Sequence, residues 1–139
     1  MTDVVREATC ACGDFRLRLA GDPLLVSACF CTRCQRRTGS FMGVTAIYRP
    51  EQLVRREGPE SLFHRADGAT TFHFCPRCGS TLWFQPDDPN DAVIGISAGA
   101  FADPQFPSPI RVMHARHAHP FMKFADGPVV HLDAPPEAL

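Results

Sequence analysis

Phe15-Arg16-Leu17-Arg18-Leu19 alternates apolar and charged side chains with period two. In an extended strand, successive side chains leave opposite faces, so Phe15, Leu17 and Leu19 share one buried face while both arginines meet water. A helix would scatter the same residues around its circumference. Similar short runs recur at 24–28, 44–48, 61–65, 70–74, 82–85, 92–97 and 111–114, and glycine or proline interrupts most of the gaps. Nowhere do apolar residues recur at 3.6 spacing over three turns, so long helices are not expected; Pro50-Glu51-Gln52-Leu53 suits one short turn with proline at its start. The expected fold class is all-β: a compact protein of short antiparallel strands with little helix.

The 139 residues suffice for one core, and the expected organisation is a single domain, 1–139, with a fraying tail at 133–139. Many of the thirteen prolines fall between Pro86 and Pro136, which suits edge strands and rigid loops because proline cannot donate to a central ladder. The cysteine clusters share no common period, which sets internal repeats aside. The net charge is −1 and the arginines are scattered, so no electrostatic footprint for nucleic acid is present. The start, Met1-Thr2-Asp3-Val4-Val5-Arg6, lacks a secretory pattern, and no apolar run reaches bilayer length. A cytoplasmic protein with neither nucleic-acid nor membrane partners is expected.

In a reducing compartment, clustered cysteines are metal ligands or redox groups more often than disulfides, and an odd count of seven agrees. They fall as Cys10-Ala11-Cys12, Cys29-Phe30-Cys31-Thr32-Arg33-Cys34 and Cys75-Pro76-Arg77-Cys78-Gly79. Tetrahedral zinc with bonds of about 2.3 Å places its sulfurs about 3.8 Å apart, which calls for tight turns. Pro76 presets such a turn, and Gly79 permits close backbone approach. The simplest partition is four plus three. Cys10, Cys12, Cys75 and Cys78 would close a structural zinc site, while Cys29, Cys31 and Cys34 would leave a fourth position open for water or substrate.

Three alternatives stand beside this partition. Cys75 and Cys78 could form a redox pair, although Gly79-Ser80-Thr81-Leu82-Trp83-Phe84 reads as a turn entering a strand and not as the helix such a pair requires. The trio could be a second structural site completed by a histidine, or Cys10, Cys12, Cys29 and Cys31 could group together. His114, His117 and His119 read as solvated or hydrogen-bonded surface groups, and His73, between Phe72 and Phe74, as surface on the opposite strand face.

Taken together, Cys-x-Cys, Cys-x-Cys-x-x-Cys, the run Cys34-Gln35-Arg36-Arg37-Thr38-Gly39-Ser40 and Phe74-Cys75-Pro76-Arg77-Cys78-Gly79-Ser80 resemble the glutathione-dependent formaldehyde-activating enzyme family, which includes the centromere protein V type domain. The resemblance implies a β-tent fold, a structural zinc on four cysteines and a more labile zinc on the trio. It also implies a carbon-sulfur lyase of the S-(hydroxymethyl)glutathione synthase type, with formaldehyde or a related aldehyde as substrate and glutathione as co-substrate. Phe30 departs from the polar residue common at that position, and Pro120-Phe121 stands where a Pro-Trp pair is usual. For glutathione, Arg33, Arg36 and Arg37 offer guanidinium forks to a carboxylate, while Gln35, Thr38 and Ser40 offer hydrogen bonds. The competing view of that run is a solvated loop turning sharply at Gly39. Two other functions are compatible with the residues: a non-catalytic zinc module binding a protein partner, and a lyase or carrier for a different thiol.

Overall fold

A computed structural model describes residues 4–65, 70–125, 127 and 130–132. Eleven strands among them form two sheets. The smaller has the order β1 (Val5–Thr9), β2 (Arg16–Ala20), β5 (Leu53–Glu57). The larger runs β11 (Val130–Leu132), β10 (Arg111–Met113), β3 (Leu25–Cys29), β4 (Gly43–Tyr48), β9 (Ile94–Ser97), β8 (Thr81–Pro86), β7 (Thr70–Phe74), β6 (Ser61–Arg65). The mostly β fold agrees with the sequence reading, and a turn of 3-10 helix occupies Pro50–Gln52 as expected. The expected tail at 133–139 lies outside the described residues.

The main core fills the space between the sheets. Ala8, Leu17 and Leu19 from the small sheet meet Val26, Ala46, Tyr48, Leu82, Trp83, Ile94 and Ile96 from the large one. Leu17 and Leu19 are buried while Arg16 and Arg18 stay exposed, as period-two patterning requires. A second cluster, Ala28, Phe30 and Val112, lies apart, with Met42, Met122 and Phe124 packed against it.

Several features differ from the sequence reading. β1 and β5 have no clean apolar alternation; each is held by its pairing with β2, which already carries the apolar face. Most pairings are antiparallel, but β10 lies parallel to both β3 and β11, so the C-terminal third joins the large sheet across a long connection. The run 34–40 is only partly a loop: residues 34–38 belong to an α-helix, α1 (Thr32–Thr38), capped at its start by the Cys31 side chain, and the expected turn falls at Gly39, at φ 71°. Arg36 and Arg37 fall in its last turn, where positive charge complements the helix dipole.

His73 corrects a further expectation. It is buried, not on the surface: its ring stacks on Trp83 at 3.8 Å and 14°, and Nδ1 lies 2.6 Å from Glu60 Oε1. Arg56 also pairs with Glu60 at 2.6 Å and covers the Trp83 ring. The Glu60 carboxylate and the Trp83 ring offset part of the cost of burying a polar ring where strand alternation alone predicts exposure.

Gly95 occupies a place where close approach excludes any side chain. A Cβ there would lie 2.5 Å from the Phe84 ring and 2.8 Å from Thr45 Cγ2. Gly95→Ala should lower stability by about 1–3 kcal/mol through forced repacking, read as a lower urea midpoint with an unchanged m-value.

Candidate metal centres

The N-terminal and central cysteine pairs converge on one point. The sulfurs of Cys10, Cys12, Cys75 and Cys78 all lie within 4.8 Å of one another, with Cys10–Cys12 at 3.6 Å and Cys12–Cys75 at 3.7 Å. These two separations match the tetrahedron edge of about 3.8 Å expected around zinc. Two similar turns present the pairs. In the first, Phe15 N donates to Cys10 Sγ at 3.2 Å and Gly13 N to Cys10 O at 3.1 Å. In the second, Gly79 N donates to Cys75 O at 2.8 Å, and Gly79 takes φ 82°, a conformation that disfavours any side chain.

Ser80 joins the turns. Its hydroxyl accepts from Ala11 N at 3.1 Å and lies 3.3 Å from Cys78 Sγ, while Arg77 pairs with Asp14 at 2.8 Å. Hydrogen bonds from the Ser80 hydroxyl and N–H pull the Cys78 thiol down to about 5. Cys12 moves the other way: an Asp14 N–H favours its thiolate, but desolvation and the neighbouring thiols outweigh it and push Cys12 up to about 12. Sulfurs this close cannot all ionise unless a cation neutralises them.

Cys29, Cys31 and Cys34 form a separate group, also within 4.8 Å of one another and each partly exposed. Cys29 ends β3, Cys31 caps α1, and Cys34 sits in its first turn, where its N–H donates to Cys31 Sγ at 3.3 Å. Hydrogen bonds from Cys29 and Cys34 hold the Cys31 thiol well below its ordinary value, and the same contact with Cys31 pushes Cys29 far up. Gly43 is the cross-strand partner of Cys29, and a Cβ there would lie 3.3 Å from Cys34 Cβ and 3.6 Å from Cys34 Sγ. The missing side chain leaves room for the sulfurs to converge.

This grouping matches the four-plus-three partition; the alternative set Cys10, Cys12, Cys29 and Cys31 does not come together. Cys75 and Cys78 open a turn into β8 and not a helix, which removes the structural basis of a redox pair. Among the described residues, no histidine joins either group.

The other expected site residues separate by what they touch. Gln35 Nε2 donates to Phe30 O at 2.8 Å, and its Oε1 lies 3.0 Å from His119 Nε2, so its amide braces the trio turn against the 117–119 segment. Thr38 Oγ1 donates to Cys34 O at 2.8 Å and accepts from Ser40 N at 3.0 Å. Both side chains are engaged with the chain itself. Arg33, Arg36 and Ser40 are exposed, whereas Arg37 is half-buried beside Cys34. The sequence reading missed Arg111, whose Nε donates to Ser27 Oγ at 3.1 Å, with Ser27 two residues before Cys29 on β3. The signal was absent because the parallel β3–β10 pairing joins segments 84 residues apart.

Thiolate is the reactive form of cysteine, so alkylation of metal-stripped protein at neutral pH should label Cys78 before Cys12. Labelling of Cys78 should fall as the pH drops through about 5, where its thiolate is protonated. Ser80→Ala should slow that labelling at neutral pH, followed residue by residue by mass spectrometry.

The same clusters carry the comparison with known proteins. The profile of the glutathione-dependent formaldehyde-activating enzyme family matches residues 5–117, which contain all seven cysteines. No protein of curated function matches the sequence. A Rhodobacter sphaeroides protein of known crystal structure is 23% identical, with a TM-score of 0.53 over 68% of this chain and 85% of that one; likeness at this identity speaks to the fold alone. With the match spanning most of its length, the chain belongs to the glutathione-dependent formaldehyde-activating enzyme family.

Proposed function

We propose that the chain reversibly joins a small thiol, glutathione in the first instance, to formaldehyde or a related aldehyde at the Cys29, Cys31 and Cys34 site. In this reading that trio holds an exchangeable zinc ion, and Cys10, Cys12, Cys75 and Cys78 hold a second zinc for structure. The supporting observation is the contrast between the groups: four clustered sulfurs, as many as a closed zinc shell takes, against three partly exposed sulfurs that no fourth ligand joins among the described residues. When bound at the trio, zinc supplies a cation that favours the thiolate form of an incoming thiol.

The bond changes are simple. The thiol loses its proton, its sulfur bonds to the aldehyde carbon, and the carbonyl oxygen takes up a proton; cleavage reverses these steps. The chain's contribution is to fix the receiving geometry. The Cys31 side chain is held by the first turn of α1, Gln35 braces the Phe30 carbonyl between two trio cysteines, and the buried Phe30 ring anchors the turn in the second core cluster. Three thiolates around a divalent ion leave a net negative charge, which disfavours strong polarisation of the aldehyde. The site is better suited to holding sulfur.

The decisive experiment is zinc per chain before and after dialysis against a mild chelator, with a glutathione titration of each sample. Two zincs falling to one, with glutathione binding lost alongside the labile ion, is the expected result. Cys31→Ala should remove one zinc and glutathione binding while leaving the melting temperature within a few degrees. Two inert zincs and no glutathione binding would instead identify a structural or partner-binding module.

A further inference from the structure

Side chains on adjacent strands form a row across the large sheet. Phe63 on β6, Phe72 on β7 and Phe84 on β8 are cross-strand partners, and Gly95 on β9 completes the line. The Phe63 and Phe72 rings stack with centroids 6.2 Å apart, and those of Phe72 and Phe84 lie 5.2 Å apart. The bare backbone at Gly95 is what admits the Phe84 ring. On this aromatic floor rests the guanidinium of Arg37, 5.1 Å from the Phe72 centroid and 5.6 Å from that of Phe84.

The same guanidinium borders the trio. A Cβ built on Gly43 would meet Arg37 Nη2 at 3.2 Å and Cys34 Sγ at 3.6 Å, so cation and thiol flank one small gap. Stacking occupies the faces of a guanidinium and leaves its N–H edge for hydrogen bonds. Among the described residues, no carboxylate pairs with Arg37. Contact with the two rings also restricts the side chain in advance, which reduces the entropy lost when a ligand is gripped. Arg33 and Arg36, on the same helix, are exposed instead.

Charge decides what this arrangement selects. A thiolate approaching three thiolates around a divalent ion already adds negative charge, and a carboxylate on the same molecule would be repelled without a nearby cation. We propose that Arg37, seated over Phe72 and Phe84, is the specificity-determining residue of the trio site and selects thiols that also carry a carboxylate. This inference rests on the thiol-binding reading above. It assigns the carboxylate contact to Arg37 and not to Arg33 or Arg36.

The test is calorimetric titration of the zinc-loaded protein with 3-mercaptopropionate and with its neutral amide, 3-mercaptopropionamide. Wild type should bind the carboxylate about tenfold more tightly or better, as a charge-assisted hydrogen bond in a partly buried site implies. Arg37→Met should bring the ratio of the two affinities close to one with zinc content unchanged, and Arg36→Met should leave the ratio as in wild type. If Arg37→Met loses zinc, Arg37→Lys serves instead: it keeps the charge but not the fork, and the ratio should fall several-fold. Equal affinity for both thiols in wild type, or an unchanged ratio in the Arg37 variant, would overturn the assignment and leave thiol binding intact. Failure of both thiols to bind would bring down the thiol reading itself, and this inference with it.

Discussion

The convergence of four sulfurs from two distant hairpin turns is the constraint on which the architecture depends. Cys10 and Cys12 follow the first strand of the small sheet, whereas Cys75 and Cys78 lie between two strands of the large one. Cys10 and Cys75 are both buried and belong to the core that the sheets share. The turns are also joined by Ser80 and by the Arg77–Asp14 pair, so the contact does not rest on sulfur alone. A surface ion pair adds little by itself; its place here is to hold two turns in register so that the thiols meet.

The trio obeys a different constraint. Its three cysteines span six residues, so local geometry suffices to gather them: a strand end, a helix cap and the helix's first turn. What the larger fold contributes is space and surroundings. Gly43 clears the floor, Phe30 anchors the turn, and the row of phenylalanines carries Arg37 to the edge of the group. The four-sulfur group thus lies where turns of the two sheets meet, while the trio is a partly exposed feature at the edge of the large sheet.

Much of this was legible in the sequence wherever a short-range rule governs. Alternation in 16–19 revealed β2, because a half-buried strand writes its faces directly into the residue order, and the short apolar runs at 61–65 and 70–74 coincide with β6 and β7. Cysteine spacing revealed both clusters for the same reason. Most of the misses were non-local. β5 reads as Leu-Val-Arg-Arg-Glu and is a strand because β2 lies beside it. His73 is buried because Glu60 and Trp83 enclose it, and Arg111 lies near Cys29 because β10 runs parallel to β3. The helix over 32–38 escaped notice because it buries no apolar face and is specified by its caps, Cys31 and Gly39.

The two clusters also differ in when they can exist. During synthesis the chain emerges from its N-terminus, and the trio is complete once residue 34 is free. The four-sulfur group must wait until Cys78 has emerged and the intervening chain has closed its loop. On a nascent chain, Cys10 and Cys12 therefore have Cys29, Cys31 and Cys34 as neighbours well before their own partners arrive. A soft metal ion captured early would have five thiols within reach, the trio and two without their partners. Pairing of β7 with β8 brings Cys75 and Cys78 together in one turn, and the closed group is complete only when that turn meets the N-terminal one.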